Sequence, residues 1–439
     1  MSNDLFAPLV SRLRRIEPVW TSGEIVALSP MGVEIEGLGR VAALGDAVGL
    51  PSGLTGEILK MSGQQAGVMV DGPMEGLRLG QRVRHIGPRR IAPSDSWIGR
   101  VIDPDGNPLD GGPLDPGPED RGLAGSPPAA TERRALGTRL GTGLAVFDTL
   151  LPIVRGQRIG LFAGSGVGKS RLLSALARGI EADVVVIGMI GERGREVREF
   201  IEDALGPEGL ARSVVVAATS DQPALTRARA AMTTMAVAEH FRDQGKHVLL
   251  LADSITRFAE AYREVAAAGG EPPGYGDFPA SMPQAVMGLC ERAGPGARGQ
   301  GDITAIMTVL VAGSDMEGPV ADVLRGVLDG HVVLDRKIAE RGRYPAIDLL
   351  RSVSRALPKA AEVDEFRLIT KARHLLGAYD KVELMLQAGL YAEGQDPVSD
   401  AAVRLWPKLD AFLAQPSEGQ SEAFSQLRAI LEEGVSAAA

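Results

Sequence analysis

The sequence predicts an α/β protein with a small β-barrel near its N-terminus, a doubly wound parallel sheet in the middle and a helical C-terminal domain. Three observations predict it. Between Thr21 and about Gly87 the chain runs in short alternating stretches broken by glycine, such as Gly32-Val-Glu-Ile-Glu and Gly67-Val-Met-Val-Asp, the texture of a small barrel. Further on, near-continuous apolar strands alternate with helical periodicity, as buried parallel strands do. From about Glu362 the strand signal disappears, and Leu368 to Leu431 reads as helix.

In chain order, residues 1–20 come first. Leu5, Phe6, Leu9, Val10, Leu13 and Ile16 recur at helical spacing, with Arg12, Arg14 and Arg15 near the end, so an amphipathic helix is expected over 1–17. The barrel follows at 21–90. Residues 104–128 are rich in Pro, Gly and Asp and read as a long loop leading out of it. The sheet domain extends over 91–361, with strands expected at Ile159–Phe162, Val184–Ile190, Val214–Ala217, Val248–Ala252 and Ile303–Val311. Residues 362–439 form the helical end. No repeat of 20–50 residues is present.

Composition narrows the class. With 44% apolar and 23% charged residues the chain is an ordinary globular protein, and no apolar run is long enough to cross a bilayer as a helix. The N-terminus lacks the basic and apolar regions of a secretory signal. Cys290 is the only cysteine, which excludes an intramolecular disulfide and a thiolate zinc site and fits a reducing cytoplasm. A net charge of −9 argues against nucleic acid as the main partner.

The first chemical motif is Ala163-Gly164-Ser165-Gly166-Val167-Gly168-Lys169-Ser170, placed after a strand and before a helix. Glycines let backbone N–H groups curl around a phosphate, and the helix N-terminus adds partial positive charge. Lys169 reaches the β- and γ-phosphates of such a ligand, and the Ser170 hydroxyl suits magnesium. Ala163 stands where this motif usually begins with glycine, at a position facing away from the phosphates. Hydrolysis needs a further group to orient water. Glu192, in Gly191-Glu192-Arg193, ends the strand after the phosphate-loop helix, where ligands bind in such sheets. Taken alone it could equally be a surface Glu favoured at a helix start. Asp253 ends the apolar run His247–Ala252, the pattern of a magnesium-site aspartate and also of a helix cap.

Read together with Met189–Phe200, Ala252–Ala259, Gly270-Glu-Pro-Pro-Gly, Glu291-Arg-Ala-Gly and Tyr344-Pro-Ala-Ile-Asp, these motifs stand in one order. In this the chain closely resembles the ATPases of the flagellar type III protein export apparatus, relatives of rotary ATP synthase catalytic subunits. The resemblance runs from about residue 20 to the C-terminus and is most specific over 150–358. It implies a RecA-type nucleotide domain, ATP and Mg2+ as ligands, and a homohexameric ring. It further implies a cytoplasmic location against the inner face of the membrane. The implied partners are an export regulator binding residues 1–17, stalk proteins, export substrates with their chaperones, and the membrane export gate. Carried over by motif, Glu192 matches the catalytic glutamate, Asp253 the magnesium aspartate, Tyr344 the aromatic against adenine and Arg355 an arginine reaching a neighbour's nucleotide; Arg193 falls among the nucleotide contacts. The loop over 269–284 departs from the family, with a shorter glycine-rich stretch at Gly274-Tyr-Gly-Asp-Phe-Pro.

Three other readings compete. A rotary synthase subunit would carry an acidic stalk-facing stretch in the C-terminal domain, which this chain lacks. The virulence branch of type III secretion shares every motif above. A hexameric RNA translocase would read single strands with aromatic and basic residues on its N-terminal domain. Residues 21–90 hold no Phe, Tyr or Trp, and over 21–85 acids outnumber Lys and Arg seven to five, which disfavours it.

Overall fold

The computed structural model describes residues 19–311 and 316–436. The helix expected over 1–17 lies outside the described residues. Six strands, β1 (Ser22–Ser29), β2 (Gly32–Glu36), β3 (Asp46–Gly49), β4 (Thr55–Ser62), β5 (Gln65–Val70) and β6 (Arg82–Pro88), close into a barrel in the order β1-β2-β5-β4-β3-β6. Alternation drives this closure. Ile35, Val48, Ile58 and Val83 point inward and are fully buried, while their sequence neighbours face out or into the next domain.

A short pair, β7 (Arg90–Ile91) with β9 (Arg121–Gly122), encloses most of the Pro- and Gly-rich loop. Between them, just ahead of the Pro- and Gly-rich stretch, β8 (Val101–Ile102) joins the edge of the main sheet beside Val215 and Val216. Among the described residues the sheet has nine strands. Its principal members are β10 (Arg158–Ala163), β11 (Val184–Glu192), β12 (Ser213–Thr219), β13 (His247–Asp253), β15 (Asp302–Leu310), β16 (Gly330–Leu334) and β17 (Ile347–Ser354), with β14 (Gly294–Pro295) beside β15. The order β17-β16-β10-β15-β13-β11-β12-β8 puts β10, β15, β13 and β11 at the centre. Every residue of β10, β11 and β13 is buried, which is why their sequences show no alternation.

The sheet is parallel except at β14 and β17. The connection from β16 to β17 holds only the short helix Arg336–Glu340, too little to carry the chain back to the strand-start edge, so β17 returns antiparallel. Helices cover both faces: α1 (Lys169–Gly179), α2 (Gly194–Glu199), α3 (Ala224–Asp243), α4 (Ile255–Ala268), α5 (Met282–Glu291) and α6 (Pro319–Val327). The barrel is pinned to this layer through Asp71. Its carboxylate pairs with the buried Arg229 guanidinium at 2.9 Å and accepts from the Thr226 hydroxyl at 2.6 Å.

The C-terminal segment is helical as expected: α7 (Val363–Gln387), α8 (Pro397–Phe412) and α9 (Gln420–Ser436). Glu362 and Glu365 cap the start of α7 reciprocally, and Asp396 caps α8. Leu375, Leu405, Leu409, Phe412 and Leu427 bury the shared apolar face against the sheet domain. No described helix is long and apolar enough to cross a membrane.

Candidate active site

The phosphate loop links β10 to α1 at the strand-end edge of the sheet. Ala163 is fully buried and registers between Leu310 and Leu334 on the neighbouring strands, so its methyl belongs to the core rather than to the loop's concave side. Gly168 precedes α1 with φ +87°, a left-handed backbone that a side chain would strain. That turn opens α1 at Lys169, leaving the first N–H groups of an eleven-residue helix unpaired within it.

Three side chains converge here, Lys169 from the start of α1 and Glu192 and Asp253 from the ends of β11 and β13. Lys169 donates its ammonium to Asp253 Oδ1 and stands 3.4 Å from Glu192 Oε1. Glu192 and Asp253 are both buried. The approach of Glu192 depends on a kink in its strand. Pairing of β11 with β12 slips between Ile190 and Glu192, and Gly191 sits at φ +68° in the slip. Such a bulge re-aims the following side chain, here toward Lys169. Asp253 is oriented from the adjacent strand β15, where the Thr308 hydroxyl donates to Oδ1 at 2.7 Å. Ser254 then caps α4 by accepting from Arg257 N.

Burial and charge tune the cluster. Desolvation, reinforced by the Asp253 charge and only partly offset by Lys169, pushes the Glu192 carboxyl up to about 7. Burial pulls Lys169 down, but attraction to Asp253 and Glu192 outweighs it and leaves the ammonium above its ordinary value. Lys169 therefore stays charged, while Glu192 is poised to exchange a proton near neutral pH, as a group that polarises water requires.

The remaining residues singled out by sequence fall into three positions. Tyr344 lies across the phosphate loop: a Cβ placed on Gly168 would stand 3.1 Å from its Cδ1, yet the tyrosine is 41% exposed, leaving ring surface for a flat ligand. Arg193 starts α2 with its side chain in solvent, paired with Glu196 at 3.7 Å and outside the Lys169 cluster. Arg355 follows β17 at the other end of the sheet. Ser354 registers with Gly330 at the start of β16, whereas Ala163 registers with Leu334 at its end, about 13 Å along the strand. The Arg355 guanidinium donates to the Leu328 and Arg325 carbonyls. It does not reach this chain's own phosphate loop.

Sequence reading missed Thr308 and the Gly191 bulge. A threonine within the apolar run Ile303–Val309, on the strand beside that of Asp253, is the signal that could have found the first. The atypical loop over 269–284 also has a defined shape. Glu271 accepts from the Ser281 backbone and hydroxyl, fixing the start of α5, while Tyr275 is 81% exposed at its tip.

The chain matches the family model of the ATP synthase alpha/beta nucleotide-binding domain over residues 143–354 and that of the type III secretion EscN ATPase C-terminal domain over 361–433. It is 43% identical to the flagellum-specific ATP synthase of Caulobacter vibrioides, covering 97% of this chain and 99% of that protein. The type 3 secretion system ATPase of Pseudomonas syringae is also 43% identical, covering 92% of each chain. Among solved structures it resembles the assembled ATPase EscN of enteropathogenic E. coli, with a TM-score of 0.88, 36% identity, and coverage of 93% of this chain and 100% of that one. EscN in complex with its central stalk EscO gives a TM-score of 0.85 at the same identity and coverage.

Proposed function

The chain belongs to the type III export ATPases of the ATP synthase alpha/beta family, and from that premise we propose that it hydrolyses Mg-ATP in a homohexameric ring to promote export of flagellar proteins. The observation that carries the catalytic part is the convergence of Lys169, Glu192 and Asp253 above the phosphate loop.

In this reading the loop N–H groups and Lys169 hold the β- and γ-phosphates, with Lys169 exchanging its carboxylate partners for phosphate oxygens. Glu192 orients a water in line with the γ-phosphate and takes up its proton. Hard oxygen donors fit magnesium, and the Ser170 hydroxyl and Asp253 carboxylate would hold it. Magnesium is commonly held by one or two protein oxygens together with the nucleotide's phosphates and water, which matches this donor set. When bound, magnesium neutralises charge developing between those phosphates. Tyr344 stacks on adenine. Arg355, remote from its own loop, serves the site of a neighbouring subunit, which makes the ring the catalytic unit.

The assembled EscN and its stalk complex support a ring that engages a stalk protein in this chain too. The run of flagellum-specific relatives favours the flagellar branch, and the match of 361–433 to the secretion-type C-terminal domain favours export over ATP synthesis. We further propose a cytoplasmic location at the inner membrane face. There the chain would meet the export gate, substrates with their chaperones, and a regulator that binds residues 1–17. Residues 269–284, with Tyr275 at the tip, are offered as the pore-facing loop.

Expression in a flagellated bacterium lacking its own export ATPase tests this. The chain should restore swimming, and Lys169→Ala, which removes the phosphate-binding ammonium, should not. Restored effector secretion in a virulence-system deletion, without restored swimming, would move the assignment to the other branch.

A further inference from the structure

The turn that presents Tyr344 is tied to the C-terminal helices by the arginines on either side of Gly342. The Arg343 side chain is 8% exposed and staples the turn from within. Its Nη1 donates to the Pro345 carbonyl at 3.0 Å and its Nη2 to the Ile347 carbonyl at 2.7 Å. Its Nε stands 2.9 Å from Asp410 Oδ1 on α8. Arg341 makes a second tie, pairing with Glu383 of α7 at 3.2 Å. Its guanidinium also lies 5.5 Å over the Trp406 ring of α8, which stacks on Tyr379 of α7.

We propose that Arg343, held by Asp410, is a positioning residue that couples the placement of the C-terminal helices to the base pocket at Tyr344. The inference rests on the reading of Tyr344 as the adenine-stacking aromatic. Physically, a part-exposed ring takes its orientation from the backbone that carries it. The Arg343 staple fixes that backbone only while its third contact, on another domain, stays in place. Rearrangement of α7 and α8 must then either drag the turn or break the pair, and both move the ring relative to Gly168. Coupling is reciprocal: a base stacked on Tyr344 favours the helix placement that keeps Asp410 against Arg343.

The test compares ATP with tripolyphosphate, which has the phosphates and no base, as competitors of a fluorescent ATP analogue on the full chain. Asp410→Asn should weaken ATP roughly threefold to tenfold and leave tripolyphosphate within about twofold, the scale of couplings carried by packed networks. In a Tyr344→Ala background, Asp410→Asn should cost nothing further, because the ring through which it acts is gone. Glu383→Gln, at the more exposed tie, reads the same coupling if Asp410→Asn does not fold, with a smaller loss confined to ATP. Equal loss of ATP and tripolyphosphate, or a full additional loss in the Tyr344→Ala background, would reduce Arg343 to a structural role. If Tyr344→Ala weakens ATP but Asp410→Asn and Glu383→Gln do not, the coupling alone is wrong. If Tyr344→Ala binds ATP normally, the reading of the base pocket falls first.

Discussion

On the proposed function, the centre of the sheet and its β17 edge meet the same ligand in opposite ways. At the centre, β10, β11 and β13 are buried along their whole length, and the loop after β10 and the ends of β11 and β13 bring Lys169, Glu192 and Asp253 to one point. That half of the site is complete within one chain. At the edge, Tyr344 and Arg355 flank an antiparallel strand, one half-exposed over the phosphate loop and the other at the far end of the sheet. The difference teaches where self-sufficiency stops. Phosphate binding needs rigid, converging strand ends, which a parallel sheet supplies by itself. A charge that must arrive only when a ring is assembled is better carried on an edge that faces outward.

The largest effect should come from the edge. Arginines supplied by a neighbour contribute rate factors on the order of 10³–10⁵, so Arg355→Ala should bind ATP and turn over at least about a thousandfold more slowly. Specific activity of the native chain should also rise steeply with protein concentration as rings form. Mixing Arg355→Ala with Glu192→Gln should restore activity, since an intact Glu192 site then sits beside an intact Arg355. Activity per mole that stays flat on dilution, or no rescue in mixtures proven to co-assemble, would erase the contrast between centre and edge.

Next comes the centre itself. Glu192→Gln preserves shape and removes the base, so it should keep nucleotide affinity while kcat falls by about 10²–10⁴-fold. Single-turnover hydrolysis alongside fluorescent-nucleotide titration separates the two. Near-native turnover would mean that water is oriented by some other group.

How much of this was legible follows the same division. The phosphate loop is contiguous, and Glu192 and Asp253 each end an apolar run, so a local reading could find all three. Their convergence follows from strand order in a parallel sheet, and the barrel and helical end follow from period. What local reading could not find depends on pairing between distant segments. Thr308 matters only because β15 lies beside β13. The bulge at Gly191 appears only once β11 is registered against β12. The antiparallel edge was hidden because β16 is five residues long and β17 mixes Asp348 and Arg351 with two serines and two leucines without clear period. Tyr344 and Arg355 were singled out through resemblance alone. Their placement at opposite ends of one strand is what the fold adds.

A smaller effect should follow from Thr308, the part of the centre that sequence did not reveal. Thr308→Val removes the hydroxyl that orients Asp253 while nearly conserving volume. Groups that orient a metal ligand typically matter 10–100-fold, and at this single bond we expect roughly tenfold more Mg2+ for half-maximal hydrolysis, with kcat at saturating Mg2+ largely kept. A magnesium titration of initial rates reads it. An unchanged midpoint would show that Lys169 and the backbone hold Asp253 without help.

The smallest effect isolates the centre's own electrostatics, with neither neighbour nor nucleotide present. Desolvation and the Asp253 charge raise the folded-state Glu192 pKa from 4.5 to about 7. The folded chain thus holds this proton more tightly than the unfolded chain does. The stabilisation is fully present below about pH 4.5 and is lost as pH rises through about 7, beyond which the ionised carboxylate is a standing cost. Glu192→Gln removes that cost, and it also removes the Lys169 partner, whose attraction already counts in the net upward shift. Discounted for partial solvent screening, the relief is on the order of 1 kcal/mol at pH 8, or about 1–3 °C in Tm for a protein of this size. Thermal melts of dilute, nucleotide-free protein should therefore show the variant gaining on the native chain between pH 5 and pH 8. A difference that stays constant with pH, or that favours the native chain more at pH 8, would mean that Lys169 holds Glu192 ionised, and the centre would then be an ion-paired site rather than one poised for proton transfer.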